Sequence, residues 1–328
     1  MADWHRKDLL GLEDLSAAEI ETILSGAAAA KRDFVEGRRL GDLRGRTLAF
    51  IFSEPSTRTR SSFEVAARRL DAEVLSFSVA QSSVLKGESL TDTLLNLQAM
   101  GVDVFVIRHE LSGAPHQVAA SVGAHIINAG DGAHEHPTQA LLDLFTLKER
   151  KGRVEGLKVV ILGDILHSRV ARSNIWGLRK LKAKVTVCGP ATLVPAGLAG
   201  LGVAVSHDLR QALQGADAVN VLRLQLERQK ENLFPSLGEY YDAYGLTPEK
   251  LALAKPDCVV LHPGPMNRGV EIASETADGP QSAILEQVTN GVAVRMAVLR
   301  LLAGRKKARP EPMLLAGNSR GATGEVAA

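Results

Sequence analysis

The stretch SEPSTRTRSSFE, residues 53–64, gathers hydroxyl and guanidinium groups at one point of the chain. Ser56, Thr57 and Thr59 offer hydroxyls, and Arg58 and Arg60 offer planar, permanently charged forks of N–H donors. The run before it, RTLAFIF (46–52), is apolar and follows glycines at 41 and 45, which predicts a buried strand. After it, Phe63, Ala66, Ala67 and Leu70 fall on one helical face, which predicts an amphipathic helix. The corner is then a strand-to-helix turn, where unbonded backbone N–H groups and the helix dipole favour an anion. First-turn arginines oppose that dipole unless an anion lies between them. A phosphate dianion suits these donors; the alternative is that Ser56 and Thr57 merely cap the helix while Arg58 and Arg60 are solvated.

The elements that must position this corner follow from the alternation of short apolar runs with helical patterns. EVLSFS, VDVFVIRH and HIINAG are expected strands, with ESLTDTLLNLQAM, APHQVAASV and residues 137–150 as helices. A second series follows Gly152 and Gly156: strands LKVVILGD, AKVTVCGP, GVAVS, ADAVNVLR and DCVVLHPGP, with helices SRVARSNIWGLRKL and DLRQALQG. The order predicts an α/β fold of two doubly wound parallel-sheet domains joined by helices, with the active site in the cleft between them. Expected boundaries are 1–137, completed by a C-terminal helix at about 290–305, then 138–289. The Pro-, Gly- and Ala-rich tail 306–328 has no sustained period and is expected to be disordered.

In open parallel sheets ligands sit at the carboxyl ends of strands. Besides the 53–60 corner, those ends carry Arg108 and His109, then DGAHEHPTQ (131–139), GDILHSR (163–169), Arg223 with Gln225, and HPGP (262–265). One cleft lined with cationic donors is the natural inference. His136, followed by Pro137 at a helix start, could donate to a carbonyl oxygen or serve only as a cap. His134 and His136 lack a third ligand at metal spacing, so no metal is expected. Lys86, in a loop with Ser82 and Ser83 nearby, reads by itself as a solvated lysine.

The chain of 328 residues is 45% hydrophobic and 23% charged, ordinary for a folded soluble protein and long enough for two domains. A net charge of +2 with scattered basic residues gives no nucleic-acid signature. There is no membrane-length apolar run, and MADWHRKDLL has no signal-peptide core, so a cytoplasmic protein is expected. Cys188 and Cys258, each at the end of an apolar run, are expected to be buried thiols. VVILGD is not followed by G-x-G-x-x-G, no Walker lysine motif occurs, and no nucleophile–base order can be defended. Neither a cofactor nor covalent catalysis is therefore expected, and the site should act electrostatically.

PSTRTRSSFE, S-x-x-x-K-G-E-S-L (82–90), IRH (107–109), NAGDG (128–132), HPTQ-x-L-x-D (136–143), R-x-Q-x-E-R (223–228) and HPGPMNRG (262–269) together resemble the aspartate/ornithine carbamoyltransferase family, from near residue 45 to near 300. HPGP in place of the ornithine branch's H-C-L-P, with Arg223 and Gln225 where a second carboxylate needs donors, favours the aspartate-using branch. The resemblance implies transfer of the carbamoyl group of carbamoyl phosphate to the α-amine of L-aspartate, releasing phosphate, the committed step of pyrimidine synthesis. It implies that Ser56, Thr57, Arg58 and Thr59 hold the phosphate while Thr59, Arg108 and His136 polarise the carbonyl oxygen. Gln139 and the carbonyl of Pro263 would hold the carbamoyl nitrogen, with Gly264 also part of the carbamoyl phosphate site. Arg169, Arg223 and Gln225 would hold the carboxylates of aspartate. It further implies a homotrimer in which Ser82 and Lys86 reach into a neighbouring subunit's site, Lys86 as a catalytic and aspartate-binding residue. A regulatory chain or a dihydroorotase partner is compatible with such an assembly.

Overall fold

The computed structural model describes residues 4–78, 88–225 and 234–304. In the first half, α1 (Ala17–Val35) precedes β1 (Thr47–Phe52), α2 (Thr57–Arg69), β2 (Glu73–Ser78), α3 (Leu90–Ala99), β3 (Val104–His109), α4 (Ala114–Ala119) and β4 (His125–Asp131). The long α5 (Pro137–Lys151) leads into β5 (Lys158–Leu162), α6 (Arg169–Lys180), β6 (Lys184–Cys188), β7 (Ala204–Ser206), α7 (Leu209–Leu213) and β8 (Ala218–Val221). After α8 (Leu237–Tyr244), α9 (Pro248–Leu251), β9 (Val259–Leu261) and α10 (Ser274–Ala277), α11 (Ile284–Ala303) closes the described chain.

Both sheets are wholly parallel, in the orders β2-β1-β3-β4 and β7-β6-β5-β8-β9. The apolar runs expected as strands therefore pair as a doubly wound sheet requires, buried on both faces by helices. Each strand order reverses direction once. The first sheet winds from β1 outward to β2 and returns to β3; the second winds from β5 through β6 to β7 and returns to β8. The chain thus leaves the carboxyl ends of β1 and β3, and of β5 and β8, in opposite directions, which opens a crevice at each switch point.

One apolar core runs through both halves. It joins Leu48, Phe50 and Val104 of the first sheet to Val159, Ile161 and Val187 of the second, by way of α5 and α11. Each sheet also keeps a separate cluster on its other face. Every residue of α5 from Pro137 to Leu147 is buried, as is every residue of α11 from Asn290 to Leu299. These two helices form a rigid spine on which both switch points are mounted.

Four differences from the sequence expectation have local causes. Helix α1 is an additional element, begun by a capping box in which Ser16 Oγ accepts from Glu19 N and Glu19 Oε2 accepts from Ser16 N. Helix α11 starts at Ile284, earlier than the apolar stripe, because Gln287 and Asn290 are buried and bonded to α5 instead of facing water. It packs on α1, α2 and α5. Helix α4 is shorter than APHQVAASV, ending at Ala119. Cys188 ends β6, but Cys258 precedes β9 instead of ending it; both are buried free thiols, pushed up to about 12 by burial. The expected tail 306–328 lies outside the described residues.

Candidate active site

The corner at the end of β1 is tied to the end of β3, since Ser53 N and Oγ both donate to the carbonyl of Arg108 at 3.0 and 3.2 Å. Ser56 takes the N-cap position of α2, yet its side chain makes no capping bond, and the first turn holds no acidic residue. Ser56 is therefore not spent on the helix. Thr59 is buried beneath the corner, whereas Thr57 and Arg58 are exposed on it.

Across the cleft, the turn after β9 comes up against this corner. Gly264 has φ of +63°, and a Cβ there would lie 3.0 Å from Cζ of Arg58, so a side chain would be both strained and in the guanidinium's place. His262 shapes the turn: its Nδ1 accepts from Gly264 N at 2.8 Å, which leaves the proton on Nε2 to donate to Glu271 Oε1 at 3.2 Å. Although Arg58 keeps an exposed face, partial desolvation in the cleft lowers its pKa, and the charge of Arg223, from the end of β8, adds to that. The two cations thus repel one another, which an anion between them would relieve.

Glu54 was assigned no role by sequence, and the structure places it at the centre of the other cationic group. Its Oε2 accepts from Arg169 Nη2 at 2.6 Å and lies 3.2 Å from Arg108 Nε. Arg169 opens α6 in the second half and is buried; Arg108 is the last residue but one of β3 in the first. One carboxylate therefore aligns guanidinium groups from both halves of the chain. Its only sequence signal was that of a lone acid inside a run of donors. Gly130, with φ of +116°, lets Arg169 pass, because a Cβ there would lie 3.0 Å from its Nε.

His136 is the N-cap residue of α5 but makes no side-chain cap bond. Its backbone N–H donates to Ser173 Oγ of α6 at 2.8 Å, and Ser173 Oγ in turn donates to Glu135 Oε2 at 2.7 Å. The imidazole is buried, and Nδ1 has no partner among the described residues. Burial, helped by Arg108, Arg169 and Arg295, holds its pKa well below 6.5, so the ring is neutral at pH 7 and carries one donor. Gln139, one turn on, is buried with its Nε2 directed at Asp143.

Ser56, Thr59, Arg58, Arg108, His136, Gln139, Arg169, Arg223, Pro263 and Gly264 all belong to strand-end turns of the two sheets or the first turn of a helix that follows one. The contacts above join Arg58 to Gly264, and Arg108 to Arg169 through Glu54, while Arg58 feels the charge of Arg223. Gln225 follows in the loop after β8, its N–H donating to Asp164 Oδ2 at 3.3 Å. Ser82 and Lys86 lie outside the described residues, as do positions 226–228 of the R-x-Q-x-E-R stretch.

His134 does acquire neighbours that spacing could not reveal. His116 and Asp131 bring potential ligand atoms within 4.8 Å of one another and of His134. The oxygens of Asp131 are already engaged, however: Oδ1 by Asn128 Nδ2 and Glu135 N, Oδ2 by Gly113 N and His134 Nδ1. That carboxylate organises the loop.

Family models for the carbamoyl-P binding domain and the Asp/Orn binding domain of aspartate/ornithine carbamoyltransferases match residues 7–149 and 155–302. The aspartate carbamoyltransferase catalytic subunit of Moorella thermoacetica is 60% identical over 302 residues, 91% of this chain and 98% of that one. That of Heliobacterium modesticaldum is 59% identical over 305 residues, 92% and 97% of the two chains. Aspartate transcarbamoylase from Trypanosoma cruzi, solved with N-(phosphonacetyl)-L-aspartic acid, superimposes with a TM-score of 0.84 at 32% identity over 91% of this chain and 96% of that one. Ornithine carbamoyltransferase from Pyrococcus furiosus gives the same TM-score at 31% identity over 94% and 100%. Backbone shape is thus shared by both branches. With both domain models matched in order and relatives of such identity along nearly the whole chain, the protein belongs to the aspartate/ornithine carbamoyltransferase family.

Proposed function

We propose that this chain is an aspartate carbamoyltransferase, forming N-carbamoyl-L-aspartate and phosphate from carbamoyl phosphate and L-aspartate in the cytoplasm. The observation that carries the reading is the uncapped, donor-rich start of α2 facing Gly264 and Arg223 across the cleft. Residues 1–137 with the C-terminal helix would hold carbamoyl phosphate and 138–289 aspartate. The aspartate-using relatives support the choice of acceptor, as do Arg223 and Gln225.

The phosphate sits on Ser56, Thr57, Arg58 and Thr59. Thr59, Arg108 and the neutral His136 meet the carbonyl oxygen. As the aspartate amine attacks the carbonyl carbon, a C–N bond forms and charge gathers on that oxygen, where fixed donors need no reorganisation. Collapse breaks the bond to the phosphate oxygen, and the departing phosphate takes the amine proton. No protein nucleophile is required. Arg169, Arg223 and Gln225 hold the two carboxylates of aspartate, with Glu54 keeping Arg169 and Arg108 in register. Orientation across the two domains supplies the remainder of the acceleration.

The direct test is product analysis of the purified chain with carbamoyl phosphate and either amino acid. Aspartate should be carbamoylated, ornithine should be inert, and succinate, which has both carboxylates and no amine, should compete with aspartate. Faster turnover of ornithine would overturn the assignment.

The shared site belongs to the same reading: Ser82 and Lys86 would serve the neighbouring subunit of a homotrimer. Arg58→Ala and Lys86→Ala chains should each be nearly inactive alone. Remixed in equal amounts in a closed ring, they should regain about a quarter of the sites. Hybrids of verified mass without activity would place Lys86 in its own subunit's site or in none.

A further inference from the structure

Asp143 lies wholly inside the protein on α5, four residues after Gln139 and so on the same helix face. Its Oδ1 accepts from Gln139 Nε2 at 3.0 Å and from Gln287 Nε2 at 2.7 Å; its Oδ2 accepts from Asn174 Nδ2 at 2.8 Å and Asn220 Nδ2 at 3.1 Å. The four amides come from α5, α11, α6 and β8, elements of both halves of the molecule. An amide has one donor end and one acceptor end. Committing the NH2 to a carboxylate, which when ionised can only accept, turns the carbonyl oxygen away from it.

For Gln287 the result is visible, because its Oε1 accepts the backbone N–H of His262 at 2.9 Å, at the head of the turn that carries Pro263 and Gly264. For Gln139 the same commitment directs Oε1 away from the interior. A flipped amide at either position would set oxygen against oxygen.

We propose that Asp143 is a positioning residue that gives the cleft its selectivity for an amino group on the acyl phosphate. Its carboxylate aims the Gln139 oxygen directly, and the Pro263 carbonyl through Gln287 and the His262–Gly264 turn, at the position of the carbamoyl nitrogen. This rests on the carbamoyl phosphate reading of the site. Burial pushes the carboxyl up to about 6 against the pull of its four donors, so it is mainly ionised at neutral pH, and the buried Arg295 of α11 is the cation whose charge it meets. Acetyl phosphate is the probe that isolates this role, since it replaces the NH2 by a methyl of similar size. A site whose acceptors are fixed rejects such an analogue because they are left unpaired.

The experiment compares the dissociation constants of carbamoyl phosphate, acetyl phosphate and inorganic phosphate in the full-length enzyme. The wild type should prefer the carbamoyl compound strongly. Asp143→Ala should lower the ratio of the two acyl phosphates by about tenfold or more, while phosphate, held at the 53–60 corner with no bond to Asp143, binds as before. General loosening of the fold would instead weaken all three alike, and that outcome overturns the proposal. So does an unchanged ratio. Should Asp143→Ala fail to fold, Asp143→Asn keeps the volume with one acceptor oxygen fewer and should lower the ratio about threefold or more.

A wild-type chain that does not carbamoylate aspartate would overturn the function, not the orientation. The orientation is then judged by exchange of the side-chain NH2 protons of Gln139 and Gln287, slow in the wild type and fast in Asp143→Asn. Equal exchange in both would overturn it.

Discussion

His134 and His136 are separated by one residue yet belong to opposite electrostatic regions. Beside His134 the carboxylate is satisfied: Asp131 accepts four hydrogen bonds, one of them from this ring, and the partnership raises the imidazole pKa above 6.5. Around His136 burial and three guanidinium groups lower it, and Nδ1 has no partner among the described residues. The same division separates two serine-started helices of the first half. Ser16 and Glu19 close a reciprocal box at α1, whereas Ser56 at α2 makes no cap bond and is followed by Arg58 and Arg60. Satisfied groups belong to the framework, and groups left open at the cleft belong to the ligand. Desolvation makes this a sharp criterion, since an unmet buried donor costs ~1–3 kcal/mol unless something arrives to meet it.

The severest way to break the contrast is Arg108→Ala. If the cleft donors serve the transition state, kcat should fall ~100- to 1,000-fold with a smaller change in the KM for aspartate. An unchanged kcat would remove Arg108 from the donors that meet the transition state. Ser56→Ala should weaken phosphate binding by about tenfold or more, the usual weight of a hydrogen bond to a charged group. It should leave thermal stability alone, because no cap is lost. A lowered Tm with unchanged phosphate affinity would reverse the assignment.

The two histidines separate by titration. Followed by NMR in the unliganded enzyme, His134 should titrate above pH 6.5 and His136 should stay flat from pH 8 to well below 6.5. The linkage signs are opposite. The native state resists protonating His136, so its contribution to stability is intact above the unfolded pKa of about 6.5 and falls as the pH drops below it. The partnership of His134 with Asp131 contributes fully below about 6.5 and is lost as the pH rises through the folded value. Parallel titration of both rings would erase the distinction. The smallest effect is expected at the closed end: Ser16→Ala should cost ~1 kcal/mol and lower Tm by about 2 °C, with kcat and both KM values unchanged.

Much of this was legible before any coordinates. The strands were legible because parallel strands buried on both faces are continuous apolar runs, and the cleft because polar residues directly follow them. The S-A-A-E box of α1 was equally available as a signal. Contiguity made the 53–60 corner readable, since its donors need no tertiary contact to be neighbours. The sequence by itself therefore determined the fold class, the clustering of donors at the 53–60 corner and the family.

Tertiary structure decided what depends on distant partners. Glu54 gains its role only when Arg108 and Arg169, 54 and 115 residues further on, converge on one oxygen. Asp143 becomes a hub only when α6, β8 and α11 arrive around it. In H-E-H the two histidines are the same residue type, and although Pro137 marks His136 as a helix start, nothing local sets their opposite pKa shifts. A pKa is set by desolvation and by charges within a few ångströms, and those are supplied by whichever parts of the chain the fold brings close.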